Sequence, residues 1–339
     1  MKNILTHRRV QVGVPIAAML FLQLGAARAA DIDFGPFCTG ECKEIMTLKA
    51  DPATIKGKVA MPIASLTFAY GAALKARTEE AAKTYFPGIE LIVGDGQNDP
   101  SAQTALIDNY ISQGIQVMII NAVEKDAMAP AVKRAMDAGI KVVEVDRTVS
   151  TPVTVTIKAN DYDIGFAAGK RMVEVLGGKG SIVELQGSAA ASPTIDRHKG
   201  FMDAIATAPD IKVIGSNNAD YDQAKGLQVM EDFLQRFPAG QINAVFAHAD
   251  IMSFGAVQAI AAAGRQDEIK VVSIDGENAA IDQVAAGKMD SSTIYPVVAP
   301  MGIVAAAKIL AGETLPEFVK LDSPTVTKEN AAEFKGKGF

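Results

Sequence analysis

Apolar residues recur along this chain in two alternating rhythms. From Gly57 onward there are short runs rich in Val and Ile: Val59–Ile63, Ile89–Val93, Val117–Ile120, Val142–Val145, Val153–Ile157, Ile182–Leu185, Val213–Ile214, Ala244–Phe246, Val271–Ile274 and Ser292–Tyr295. Between them lie longer segments with apolar residues at helical spacing, among them Tyr70–Tyr85, Ser101–Gln113, Ala127–Ala138, Ile164–Leu176, Gln223–Phe237 and Met252–Ala263. The short runs are predominantly apolar and β-branched, with few polar residues and no regular alternation, as strands buried on both faces of a parallel sheet should be. Repeated strand–helix alternation predicts an α/β fold with helices on both faces of parallel sheets.

Ten runs are many for one strongly twisted sheet. The natural division falls near Ala159-Asn160, and a second set begins near Ser181, after the turn Gly177-Gly178-Lys179-Gly180. The expected architecture is two doubly wound lobes. Residues 57–159 plus about 296–320 form the first, and residues 160–295 plus about 321–339 form the second. The helix expected at Pro300–Leu310 has no strand of its own nearby. Its return to the first lobe makes the chain cross between lobes several times, as a hinge does.

The first thirty residues stand outside this rhythm. Lys2, Arg8 and Arg9 precede an almost wholly apolar stretch, Val10–Leu24, and Ala27-Arg28-Ala29 places small residues where a signal peptidase reads. The stretch is short for a spanning helix and is interrupted by Pro15 and Gln23. It reads as a signal peptide cleaved near Ala29 or Ala30, with no stable membrane insertion. Arg8-Arg9 invites comparison with twin-arginine export signals, but Val10, Gln11 and Val12 match that pattern poorly. Removing residues 1–30 takes four of the 33 basic residues and no acid, leaving 29 basic against 39 acidic and a formal charge of −10. So acidic a chain disfavours nucleic acid and anionic membrane as partners. The expectation is a soluble periplasmic monomer.

Cys38 and Cys42 both lie in an N-terminal tail, residues 31–56. Export permits a disulfide between them. The small loop it closes suggests a staple of the tail alone, and two free thiols remain the alternative. Two thiols are too few for a metal site.

Ligands of open parallel sheets bind outside the carboxyl ends of the strands. Asn121 follows Ile120, Asp146-Arg147 follow Val145, Gln186 follows Leu185, His248 and Asp250 follow Phe246, and Asp275-Gly276 follow Ile274. Two such polar edges face to face would make a cleft suited to polyols. A carboxylate accepts from neighbouring hydroxyls, and a guanidinium donates in a fixed fork. Phe68, Tyr70 and Tyr221 are candidates to cover the C–H face of a sugar. Each residue also has a plainer role: a turn for Asp275-Gly276, a surface pair for Asp146-Arg147, a helix cap for Asn160-Asp161, a core position for His248. Recurrence at one sheet edge favours the binding role. Nucleophile-elbow, phosphate-loop and dinucleotide motifs are absent. GGKGS precedes a strand, the wrong context for phosphate, and His248-x-Asp250 alone is weak as a metal motif. No metal and no cofactor are expected.

These strand-end residues carry a resemblance. From about Lys58 to Gly312 the chain resembles periplasmic monosaccharide-binding proteins of the ribose-binding type. The segments that carry it are DGQNDPSAQ (95–103), GIQVMIINAVEKDAMAPAVKRAMDAGIKVVEVDR (114–147), VELQGSAAASPTIDRHKGF (183–201), ADYDQAKGLQVMEDFL (219–234), VFAHADIMSFGA (245–256) and IKVVSIDG (269–276). The stretches around Arg197 and His248, and the tail SPTVTKENAAEFKGKGF, look closest to the galactofuranose-binding branch. The resemblance implies a periplasmic binding protein type I fold. It implies a substrate-binding protein of an ABC importer that closes on a sugar or polyol and delivers it to a permease with its ATPase. A ligand-reporting subunit for a membrane receptor or sensor kinase is one alternative, and an exported enzyme on the same fold another. Sugar-responsive repressors share the fold but carry a DNA-binding module where this chain has its leader.

By resemblance, Asp146, Arg147, Arg197 and Asp275 bind sugar hydroxyls, Tyr70 and Tyr221 supply the aromatic contacts, and Asn160 lies where the chain crosses between lobes; Phe68, Asn160 and Tyr295 complete the set of expected ligand-binding residues. Three departures stand out. Phe68 and Ala249 each occupy a position where the family has Asn, and Tyr295 or Pro296 falls where it has Gln or Glu. Losing an amide partner for a buried hydroxyl costs about 1–3 kcal/mol. A deoxy sugar, a shorter polyol or a ligand bearing a methyl or acetyl group suits such a pocket better than a fully hydroxylated hexose.

Overall fold

The computed structural model describes residues 32–339. The expected signal peptide and its expected cleavage site lie outside the described residues. Among those described, no helix is long and apolar enough to cross a membrane.

Ten strands carry the alternation: β1 Gly57–Ile63, β2 Ile89–Asp95, β3 Val117–Ile120, β4 Lys141–Val145, β5 Val155–Lys158, β6 Lys179–Gln186, β7 Asp210–Asn218, β8 Ala244–Ala247, β9 Lys270–Asp275 and β10 Ser291–Ile294. Two three-residue strands follow, β11 Phe318–Lys320 and β12 Thr325–Thr327. They form two six-stranded sheets, ordered β11-β5-β4-β3-β1-β2 and β12-β10-β9-β8-β6-β7. The paired strands run parallel except β12 against β10.

The helices are α1 Gly40–Met46, α2 Ala69–Tyr85, α3 Pro100–Ser112, α4 Ala129–Asp137, α5 Asp161–Leu176, α6 Ser192–Ile205, α7 Gln223–Arg236, α8 Asp250–Ala262, α9 Asn278–Ala285, α10 Met301–Leu310 and α11 Ala331–Phe334. Helix α10 packs on β3 and β4 of the first sheet. The chain therefore passes between sheets after β5, again between β10 and α10, and again between β11 and β12. The cores follow this layering. Val59, Met61, Ile119 and Val145 pack with α10 residues Ile303 and Val304 on one face of the first sheet. Met118, Ile120 and Val142 pack on its other face.

Strand β7 is longer than its apolar run Val213–Ile214 indicates. It is the edge strand of its sheet, and much of it faces water, so its polar end Ser216-Asn217-Asn218 still pairs with β6. Helix α6 buries polar Ser192, Thr194 and Arg197 beside its apolar residues, α9 is only eight residues long, and β11 and β12 are too brief to mark the sequence.

The N-terminal tail is more than a stapled appendage. Cys38 and Cys42 are joined by a disulfide, and both lie buried with Met46 and Leu48 against the first lobe. Phe37 packs in the core of the second lobe. Phe37 O accepts from Asp322 N at 2.9 Å, and Thr39 Oγ1 donates to Asp322 Oδ2 at 2.6 Å, so the tail lies along the third crossing.

Candidate functional site

The carboxyl ends of the two sheets face each other across a small cavity of about 60 Å³. The β1–α2 turn contributes Ser65 and Phe68 to its wall, and the first turn of α2 adds Tyr70. Asn121 follows β3, and Asp146 and Arg147 follow β4. From the opposite side come Pro193 and Arg197 of α6, Tyr221, Ala249 and Ile251, Asp275 and Glu277, and Tyr295. Phe339 closes one side, its ring 5.7 Å from that of Tyr70 in an edge-to-face contact.

Asp146 is set by its neighbours. Its backbone is left-handed (φ 61°), a conformation costing roughly 1–3 kcal/mol outside glycine and tolerated where the surroundings enforce it. Asn121 Nδ2 donates to its carboxylate at 2.6 Å, while Asn121 Oδ1 accepts from Ala64 N at 3.0 Å. Burial raises the Asp146 carboxyl above its ordinary value, and Arg147 opposes that rise. Arg147 donates to Val123 O at 3.1 Å. Its guanidinium stands 5.5 Å from the Phe68 ring centroid and 5.4 Å from that of Tyr221, rings brought from the two lobes. Such cation–π contacts reach about 2 kcal/mol when desolvated.

Arg197 is the counterpart in the second lobe. Its Nε donates to Asp161 at 2.8 Å, its Nη1 donates to His248 O at 2.6 Å and lies 3.4 Å from Asp275, and its guanidinium sits 4.9 Å from the Tyr295 ring centroid. Burial works against its charge, but Asp161 and Asp275 outweigh burial and hold the guanidinium protonated. Asp161 also pairs with Lys158 at 2.5 Å. The close approach of α5 and α6 makes this geometry possible. A Cβ on Gly165 would sit 2.1 Å from Arg197 O, and one on Gly200 would sit 2.1 Å from Tyr162 O.

Three tyrosines tie the cleft together. Tyr70 OH donates to Pro296 O at 3.3 Å and accepts from Val298 N at 3.2 Å. Tyr295 OH donates to Asp146 O at 3.3 Å, and the hydroxyls of Tyr221 and Thr194 are 2.8 Å apart. Burial, first of all, raises the pKa of all three, so they stay neutral donors.

The structure brings together Phe68, Tyr70, Asp146, Arg147, Arg197, Tyr221, Asp275 and Tyr295. Asn160 is a correction. It is the N-cap of α5, its side chain accepting from Tyr162 N at 3.0 Å and Asp163 N at 3.3 Å, and it is not on the cavity wall. Glu277, Ile251, Pro193 and Phe339 carried no signal strong enough to be chosen from the sequence. Asn121 was visible at a strand end. The wall is rich in apolar and aromatic surface where Phe68, Ala249, Ile251, Tyr295 and Phe339 meet.

His248 and Asp250 do not converge. His248 Nε2 lies 2.9 Å from Glu184 Oε1, and His198 Nδ1 lies 2.9 Å from the same oxygen. Gln186 Nε2 and Ser216 Oγ donate to Glu184 Oε2 at 3.0 and 2.7 Å. The two imidazoles and the carboxylate are the donor set here that could hold a metal. Both Glu184 oxygens are engaged in this arrangement, which fixes the His248 ring and with it the carbonyl that receives Arg197, while His248 Nδ1 is buried without a hydrogen-bond partner. Asp250 instead accepts from Ser292 Oγ and from Glu277 N, each at 2.9 Å.

Comparison with known proteins gives a consistent result. Residues 59–314 match the family model described as "Periplasmic binding protein domain". The chain is 32% identical over 281 residues to the ribose import binding protein RbsB of Escherichia coli K12, covering 82% of this chain and 93% of that protein. It is 34% identical over 266 residues to the galactofuranose-binding protein YtfQ of the same organism, covering 74% and 84%. A solved galactofuranose-binding protein superposes with a TM-score of 0.78 at 30% identity, covering 83% of this chain and 98% of that one.

Proposed function

Because the chain belongs to the periplasmic binding protein family, we propose that its interlobe cavity closes on a monosaccharide or related polyol and that the closed form hands this ligand to an ABC permease with its ATPase. It is a binding protein and not an enzyme. The observation that carries the reading is the pair of buried arginines, one per lobe, each with acidic and aromatic partners on the cavity wall. Asp146 and Asp275 accept hydroxyl protons, Arg147 and Arg197 donate in fixed forks, and Phe68, Tyr221 and Tyr295 cover C–H faces.

Closure follows from differential affinity. A ligand touching both edges binds the closed state better than the open one and shifts the population toward it. The leader directs the chain to the periplasm, where it is cleaved near Ala29 or Ala30 and the protein works as a monomer. The apolar wall around Phe68 and Ala249 favours a deoxy, methyl- or acetyl-bearing ligand, or a shorter polyol.

Isothermal titration against a panel of sugars and polyols tests the reading, with Arg147→Ala alongside. The expected result is binding by the parent and its loss in the variant, with the melting transition retained. Undiminished binding by Arg147→Ala would refute the site assignment. Binding confined to fully hydroxylated hexoses would refute the preference drawn from Phe68 and Ala249.

A further inference from the structure

The cavity wall carries more acid than base. Asp146, Asp275 and Glu277 face it, against Arg147 and Arg197. Both arginines already have carboxylates nearby. Arg197 has Asp161 at 2.8 Å and Asp275 at 3.4 Å, and Arg147 has Asp146 at 4.0 Å. Asp161 is shared with Lys158. Glu277 is left over: among the described residues no Lys, Arg or His comes within 4.0 Å of it.

Its place in the fold leaves it without a cation. Glu277 is the N-cap of α9, yet its side chain makes no capping hydrogen bond. Its backbone N–H donates to Asp250 Oδ2, and its carboxyl accepts a hydrogen bond from the Ile251 backbone N–H on the cavity wall. Burial, with Asp275 nearby, pushes Glu277 up to about 7. Burial, with Glu277 nearby, pushes Asp250 up to about 7.

A neutral polyol leaves Glu277 desolvated without a cation. An ammonium group supplies one, with N–H donors for the carboxylate. Resting on the reading of this cavity as a polyol site, we propose that its ligand is an amine-bearing polyol, an amino sugar or open-chain amino alcohol, whose ammonium lies against Glu277 while its hydroxyls meet Asp146, Arg147 and Asp275.

Titration calorimetry near pH 7 with matched pairs tests this: D-galactosamine with D-galactose, D-glucosamine with D-glucose, and 2-amino-1,3-propanediol with glycerol. In at least one pair the amine is expected to bind about ten- to a hundred-fold tighter, the worth of a charged hydrogen bond. Glu277→Gln keeps the shape and removes the charge, and it should close the gap between the two members of that pair. An amine preference that survives Glu277→Gln overturns the assignment to this residue. Should the variant fail to fold, the comparison on the parent protein decides alone. Tighter or equal binding of the neutral member throughout overturns the proposal and leaves the polyol reading standing. Binding by no member of any pair overturns both.

Discussion

Asp161 sits at the first crossing between the lobes, and its replacement by Asn removes one charge with almost no change of shape. Lys158 ends β5 in the first lobe, Asp161 opens α5 in the second, and Arg197 reaches from α6 to the cavity. All three side chains are nearly inaccessible, at 5%, 0% and 4% exposure. Asp161→Asn leaves two buried cations facing an amide. Breaking a buried pair by removing one partner costs about 3–5 kcal/mol, because the other charge stays desolvated. At about 2–4 °C per kcal/mol for a domain of this size, the melting point should fall by roughly 6–20 °C. Calorimetry on ligand-free protein measures it. The pH profile supplies a second readout. Burial alone would raise the Asp161 carboxyl, but Lys158 and Arg197 outweigh it and hold the group below its ordinary range. Its stabilisation is thus present at neutral pH and is lost as pH falls through that depressed value. The variant should lack this acid limb. A variant melting within a degree or two of the parent, with the acid limb intact, would refute the view that this triad ties the hinge to the site.

Two further outcomes follow from the packing and the charges. Gly165→Ala forces its Cβ toward Arg197 O, so α5 and α6 must part; overpacking of this kind costs about 1–3 kcal/mol, and weaker ligand binding should accompany the lower melting point. Wild-type affinity in a destabilised Gly165→Ala protein would show that Arg197 is not positioned by this contact. Asp250 and Glu277 are both raised to about 7, so their contribution to stability is complete below about pH 4 and is lost as pH rises through 7. Glu277→Gln should flatten the stability profile across that window, and an unchanged profile in chemical denaturation would contradict the assignment.

Much of the cleft was legible because buried parallel strands are mostly apolar and β-branched, so a polar residue at the end of such a run stands out. The first polar residue after such a strand is a sharp mark, and Asp146 and Asp275 were read that way. The mark fails where burial is incomplete. Strand β7 lies at an edge, so its polar half looked like a loop. Asn160 stands beside a strand end too, but a polar residue before a helix has a competing use, and here it caps α5. Glu277 was hidden because an acid at a helix start is an ordinary sight. Nothing local marks Phe339 either, since only the path of the last segment brings it to Tyr70.

The three crossings also bear on how the polypeptide is made. The first sheet lacks its outermost strand and its covering helix until residues 301–320 have been synthesised. Until then the nascent chain cannot complete that lobe, although its other five strands left the ribosome long before. Completion of the first lobe is thus among the last events of synthesis, and a chain cut short before residue 301 has neither the helix nor the strand that close its first sheet.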